Sequence, residues 1–349
     1  MELNIVALLY MIVFVIYIIP YLICIYVIIN AKDLIVKPYY QILLNMGLAD
    51  IVQILNSLFS CIFTLTENRE PFWTNKMAGA LTCGCWFVYC FLAHVMAVNR
   101  FVSMYFPLKV NSYFSPVSTK VAVGAAWAYG LSWMTALSMP GCTFMFFIDF
   151  YTWDYAETHW SSVARRMNFV SDIFHVTVLI IWYALIFAKL KHKITETLQS
   201  ATRYDWPHGT VGQTLNTCLS NTRSNLSESV STSPYYQDDV TKKIFAVMAT
   251  SIVVIISLTK MGNNRILSQI SIGLRSDSHV SRHRVPVIKK REIQVLMQAS
   301  ILCLMVVFTI VGFYVVPMLT DSKWAAMIMN IVWISTAGMN AVIYIAFNR

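Results

Sequence analysis

The chain of 349 residues is 57% apolar but only 12% charged, where a water-soluble domain carries about 25% charged residues. A mean hydropathy of +0.60 and a net charge of +9 exclude a disordered chain, a collagen and a secreted disulfide scaffold. What remains is an all-α membrane protein, and the informative question is where its few charges lie.

Crossing a bilayer takes about 20 helical residues. Seven stretches qualify: residues 3–31, 38–66 (broken only by Asp50), 77–99, 121–148, 167–188 (carrying Asp172 and His175), 293–320 and 324–348. The sequence therefore predicts a seven-transmembrane helix bundle. Residues 1–193 hold helices one to five, residues 289–349 hold helices six and seven, and residues 194–288 form a long, largely flexible third loop. An eighth apolar stretch, 244–259, is short for a span and reads as an interfacial or buried segment of that loop. With seven spans, 21 Lys and Arg fall on one side and five on the other. Basic loops stay in the cytoplasm, so the N-terminus is expected outside and the C-terminus inside. Counting 244–259 as a span would move eight basic residues outward, against that rule.

At the start of the chain no basic leader or small-residue cleavage site precedes the first apolar run, which is expected to stay as an anchor. The outer loops are short, the longest about 149–166, so an external ligand is expected to enter the helix bundle. Asp50 sits near the middle of the second span, where a lone carboxylate costs about 2.5–3.5 kcal/mol on insertion scales and needs partners or a function. Cys83, Cys85 and Cys142 are placed at matching depths near the outer ends of helices three and four. A disulfide between them is permitted, and buried free thiols are the alternative. Phe87, Asp172, His175, Tyr314 and Trp333 are candidate ligand contacts if they face inward; lipid-facing belt positions are the alternative for the aromatics. Asp172 is the strongest of these, because a carboxylate would not face lipid there; it could pair with a cationic ligand or with Arg165 or Arg166.

Three motifs close the pass along the chain. Asn99-Arg100-Phe101 ends the third span and is followed by Pro107-Leu108. Glu292 opens the sixth span. Asn340-Ala341-Val342-Ile343-Tyr344 lies near the inner end of the seventh. Together with Leu48-Ala49-Asp50 these resemble the Asp/Glu-Arg-Tyr, Asn-Pro-x-x-Tyr and second-helix Asp elements of rhodopsin-like G-protein-coupled receptors. Asn99 replaces the acidic neighbour of the Arg, Ala341 replaces the Pro, and the sixth span has no Cys-Trp-x-Pro. The pattern from Pro38-Tyr39-Tyr40 to Ile343-Tyr344-Ile345-Ala346-Phe347 is most similar to the nematode serpentine chemoreceptor families, with the subfamily unresolved.

The resemblance implies a chemosensory receptor of the plasma membrane, of sensory-neuron cilia in particular. A small external ligand and a heterotrimeric G protein would be its partners besides the lipid bilayer, with no nucleic acid. It implies that Asn99, Arg100, Phe101, Pro107, Glu292, Asn340 and Tyr344 form the coupling and activation switch. Glu292 would hold Arg100 at rest, a solvated surface Glu being the alternative. Asp50 and Asn340 would share an intramembrane polar network, with a sodium ion near Asp50 and no other cofactor.

Other classes fit less well. A metal enzyme needs His and carboxylates at one depth, whereas His94 is expected near the inner end of span three and Asp172 and His175 near the outer end of span five. A transporter or channel for a small solute, the main alternative, would show repeats or a line of intramembrane charges. A retinal protein needs a Lys within the seventh span, and 324–348 has none.

Overall fold

A computed structural model describes residues 2–67, 69, 71–202 and 290–347. It contains seven long helices: α1 (Glu2–Asn30), α2 (Pro38–Leu65), α3 (Phe72–Tyr105), α4 (Pro116–Ser138), α5 (His159–Thr202), α6 (Lys290–Leu319) and α7 (Lys323–Phe347). All but α4 are long and apolar enough to cross a membrane. Helix α4, at 23 residues, is about 35 Å long and spans by length; its Ala, Gly, Ser and Trp content lowers its hydropathy instead. Contacts divide the chain into the bundle, Met1–Ile186 with Val295–Arg349, and a second unit, Phe187–Gln294. In the second unit α5 continues past the predicted boundary at 193, with His192 Nδ1 3.4 Å from Glu196 Oε1. The apolar stretch 244–259 and most of the predicted third loop lie outside the described residues.

Local chemistry sets the helix starts. Pro38 and Pro116 open α2 and α4, where the missing N–H is not needed and the fixed φ suits the helix. Ser115 caps α4 by accepting the Ser118 N–H at 3.1 Å, and Thr158 Oγ1 accepts the Ser161 N–H at the start of α5 at 3.2 Å.

The fourth span differs from expectation. The helix stops at Ser138, and residues 144–147, expected to be helical, form β1 (Phe144–Phe147), which pairs antiparallel with β2 (Thr152–Tyr155) in the register Phe144 to Tyr155 and Phe147 to Thr152. Pro140 is the reason: it disfavours a helical conformation at the preceding residue. Cys142 therefore sits in the approach to the hairpin rather than in a helix. Cys83, Cys85 and Cys142 are all free thiols.

The hairpin is packed onto the bundle as a plug. Trp153 and Phe146 are fully buried, and Trp153 Nε1 donates to Ser60 Oγ of α2 at 2.8 Å. Asn75 of α3 holds the Phe146 backbone from both sides, donating to its carbonyl at 3.0 Å and accepting its N–H at 2.8 Å. A methyl group at Gly79 would stand 2.0 Å from the Phe144 carbonyl oxygen, so the strand lies directly on α3. Tyr10 of α1 donates to the Tyr151 carbonyl at 2.5 Å and accepts from Asn330 of α7 at 2.9 Å, while Lys323 at the start of α7 is ion-paired with Glu2. Helix α7 thus begins one residue before the predicted span and does include a Lys, but at its first position and already paired.

Helices α3 and α4 approach through Gly84 and Gly130. A methyl on Gly84 would lie 2.8 Å from the Gly130 carbonyl oxygen, and one on Gly130 would lie 2.7 Å from that of Gly84. Where lipid competes equally for apolar side chains, such close backbone packing supplies the attraction between helices.

Candidate functional site

At the hairpin end the bundle encloses a cavity of about 580 Å³, bounded by the hairpin, α3, α5, α6 and α7. Its walls are mostly aromatic: Trp86, Phe144, Trp153, Tyr155, Phe313 and Trp333 all contribute. Asp172 is the buried carboxylate of this cavity. Its Oδ1 accepts from Trp86 Nε1 at 3.1 Å and its Oδ2 from the Tyr314 hydroxyl at 3.0 Å. Asp172, Tyr314 and Trp333 therefore line one space. Arg165 does not pair with Asp172; it binds Asp154 Oδ1 at 3.2 Å and the Tyr155 carbonyl at 2.8 Å at the mouth. Desolvation pushes the Asp154 carboxyl above its ordinary value, with the Arg165 charge pulling it down.

Phe87 and His175 line neither this cavity nor the next. Phe87, one residue and about 100° around α3 from Trp86, stacks on Trp133 of α4 at 4.1 Å between centroids. His175 lies with Nδ1 2.8 Å from His94 Nε2, which overturns the separation in depth expected for these two histidines. Helix α5 begins at His159, well before the apolar run at Met167, so His175 lies far from the helix start and meets α3 inside the bundle. The Tyr129 hydroxyl lies 3.5 Å from His175 Nε2. The two rings bond each other directly, and among the described residues no group of three or more His, Cys, Asp or Glu could hold a metal ion.

Below the large cavity a polar chain runs toward the other end. The indoles of Trp86 and Trp333 meet edge to face. Trp333 Nε1 donates to Gln53 Oε1 at 3.1 Å, and Gln53 Nε2 lies 3.5 Å from Asp50 Oδ1. Asp50 Oδ2 accepts from Asn340 Nδ2 at 2.6 Å and from the Tyr21 hydroxyl. Three helices thus satisfy one fully buried carboxylate, the arrangement that makes an intramembrane charge tolerable.

A second cavity, about 60 Å³, adjoins Asp50, Asn340, Tyr89, Gln298 and Arg100. The Arg100 guanidinium stands 4.1 Å over the Tyr39 ring, and its Nε has no hydrogen-bond partner among the described residues. Asn99 is buried, Phe101 stacks on Tyr105 and meets Trp182 of α5, and Pro107 opens an exposed turn in which Leu108 is 98% exposed. Tyr344 is half-buried against the α1 and α2 residues around Tyr21 and Ile54. The Glu292 side chain, expected opposite Arg100, lies outside the described residues.

Seven helices, a cavity walled by the hairpin at one end and the Arg100 guanidinium at the other coincide with a match over most of the bundle. The family model of the serpentine type 7TM GPCR chemoreceptor Srx matches residues 11–205, more than half of the chain. The chain belongs to the serpentine seven-transmembrane chemoreceptors. A second model, serpentine type 7TM GPCR chemoreceptor Srt, matches residues 237–349, so the subfamily stays open between the two. No curated protein matches the chain.

In this serpentine receptor the Srx match carries Asp50, Trp86, Arg100 and Asp172, and the Srt match carries Tyr314, Trp333 and Asn340. Both ends of the Asp50–Asn340 and Asp172–Tyr314 contacts are needed to build the site, one from each matched segment. Sequence reasoning missed Trp86, Gln53, Tyr21 and the hairpin residues. Gln53 had a signal, three residues from Asp50 on the same helical face; the hairpin had one in Pro140, which disfavours a helical conformation at the residue before it; Tyr21 had none.

Proposed function

We propose that this receptor binds a small molecule in the 580 Å³ cavity and passes the event to a G protein at the Arg100 end, driving nucleotide exchange. The side holding the basic loops is cytoplasmic and the N-terminus is external, in the plasma membrane. The observation that carries the reading is the continuous side-chain path from Asp172 through Trp86, Trp333 and Gln53 to Asp50 and Asn340. A ligand that binds one arrangement of this path better than another shifts the population of the whole bundle.

At the Arg100 end, the guanidinium resting on Tyr39 is held by a ring face and not by a carboxylate among the described residues. A cation–π contact of this kind is worth about 0.5–2 kcal/mol, small enough for a docking protein to displace. Leu108, projecting from its turn, is an apolar contact for the same protein. The smaller cavity suits a hydrated sodium ion: Asp50 and Asn340 border it, and Asn340 Oδ1 has no donor among the described residues. Such an ion would place a positive charge beside Asp50 and bias the bundle toward the closed arrangement.

The test is a small-molecule screen on cells expressing the receptor with a calcium or cyclic-nucleotide reporter. A ligand-dependent, G-protein-dependent signal is expected. Solute flux through receptor-containing vesicles without any G-protein response would overturn the reading in favour of transport.

A further inference from the structure

The large cavity carries a charge pattern that its aromatic walls make selective. Four carboxylates border it, Asp154, Glu157, Asp172 and Asp321, against a single guanidinium, that of Arg165. Arg165 is already engaged with Asp154, leaving Asp172, Glu157 and Asp321 without a cation among the described residues that line the cavity. The innermost of them, Asp172, receives hydrogen bonds only from the neutral groups of Trp86 and Tyr314, and no Lys, Arg or His of the described residues lies within ion-pair distance of it. Asn168, also on the cavity wall, has an Oδ1 with no donor among the described residues. Around these acceptors stand the π faces of Trp86, Phe144, Tyr155, Phe313 and Trp333.

A carboxylate inside an aromatic enclosure is complementary to one class of molecule. The ring faces carry negative quadrupole density and attract a cation, by about 2 kcal/mol or more when it is desolvated. They offer nothing to an anion, which would also meet the surplus of carboxylates. An ammonium N–H supplies the donor that Asn168 Oδ1 lacks, and the positive charge supplies the counter-ion that Asp172 lacks. The acids at the mouth, Glu157 and Asp321, are exposed and raise the local concentration of cations on entry. We infer that the ligand of this cavity is a small aromatic or aliphatic amine, protonated when bound, with its ammonium group on Asp172.

The inference rests on the receptor reading only for its biological meaning; binding itself is measured without a G protein. Full-length receptor in lipid nanodiscs is titrated with two matched series, 2-phenylethylamine, 2-phenylethanol and phenylacetate, and tryptamine, indole-3-ethanol and indole-3-acetate, reading tryptophan fluorescence and thermal midpoint. At least one amine is expected to bind at millimolar concentration or better, and about tenfold or more tighter than its alcohol and acid. Asp172→Asn, which keeps the shape and one acceptor, is expected to erase the preference for amine over alcohol while the ligand-free midpoint shows that it folds. The exposed pair Glu157→Gln and Asp321→Asn tests the same field without touching the buried site, and is expected to weaken amine binding by about threefold, an effect that fades with added salt. Binding of neither amine, equal binding of alcohol or acid, or an unchanged preference in Asp172→Asn overturns the inference. Amine binding without any cellular response would sink the G-protein reading and leave this one standing; activation by acids alone would do the reverse.

Discussion

The indoles of Trp86 and Trp333 meet edge to face, with 6.1 Å between centroids and 89° between planes, and each donates its N–H to a different polar centre. Trp86 donates to Asp172 at the cavity, and Trp333 to Gln53 beside Asp50. The pair is the only link in the path from Asp172 to Asp50 that is made by ring contact, and edge-to-face pairs of this kind contribute about 0.5–1.5 kcal/mol. It is therefore the place where the upper and lower halves can be uncoupled.

Trp333→Phe keeps an aromatic edge against Trp86 but leaves Gln53 Oε1 buried without its donor, a cost of about 1–3 kcal/mol. Ligand affinity is expected to stay within about threefold, while the maximal G-protein response falls several-fold. Parallel binding and nucleotide-exchange assays on one preparation check the split; an equal loss in both would place Trp333 in the ligand contact alone.

Arg100→Ala removes the guanidinium from Tyr39 without disturbing a hydrogen bond of its Nε, since that atom has none among the described residues. Surface expression is expected to remain and ligand-dependent G-protein activation to vanish. Flow cytometry against a reporter dose–response measures both, and full signalling by the variant removes Arg100 from the switch.

Asp50→Ala strips the acceptor from Tyr21 and Asn340 together, and each orphaned buried donor costs about 1–3 kcal/mol. Poor surface yield is expected. Asp50→Asn retains an acceptor and is expected to express, but to lose any gain in thermal midpoint when sodium replaces potassium. A sodium effect that persists in Asp50→Asn would move the ion elsewhere.

Gly84→Val and Gly130→Val force side chains into the opposing carbonyl oxygens where α3 and α4 touch. Overpacking of this kind costs about 1–3 kcal/mol or more, so retention inside the cell is expected. Gly124→Ala, on the same α4 but facing open space, is the matched control and should express like the parent, as glycosidase-independent surface labelling would show.

Much of this was legible in the chain, and the parts that were not share a cause. The Asp50–Asn340 pairing follows from the resemblance to rhodopsin-like receptors; hydropathy adds only that a mid-bilayer carboxylate needs a partner. The hairpin could not be found by hydropathy: Phe144, Met145, Phe146 and Phe147 are as apolar in a buried strand as in a helix, and only Pro140 marked the change. Whether Phe87 or its neighbour Trp86 faces the cavity is not legible in composition, because one residue along a helix turns a side chain about 100°. The apolar runs alone place His94 and His175 at different depths, because α3 and α5 both continue beyond the ends of their apolar runs.

By itself the sequence determined the class of the molecule, the number of its spans, the side on which its basic residues gather and the polar residues that required explanation. These follow from transfer energies summed over a segment, which do not depend on neighbours. Only the tertiary structure decided that Asp172 faces an aromatic cavity rather than Arg165, that a hairpin closes that cavity, and that two indoles join it to Asp50. Those are matters of which faces meet, and they are set by packing between helices, which transfer energies summed along one segment do not specify.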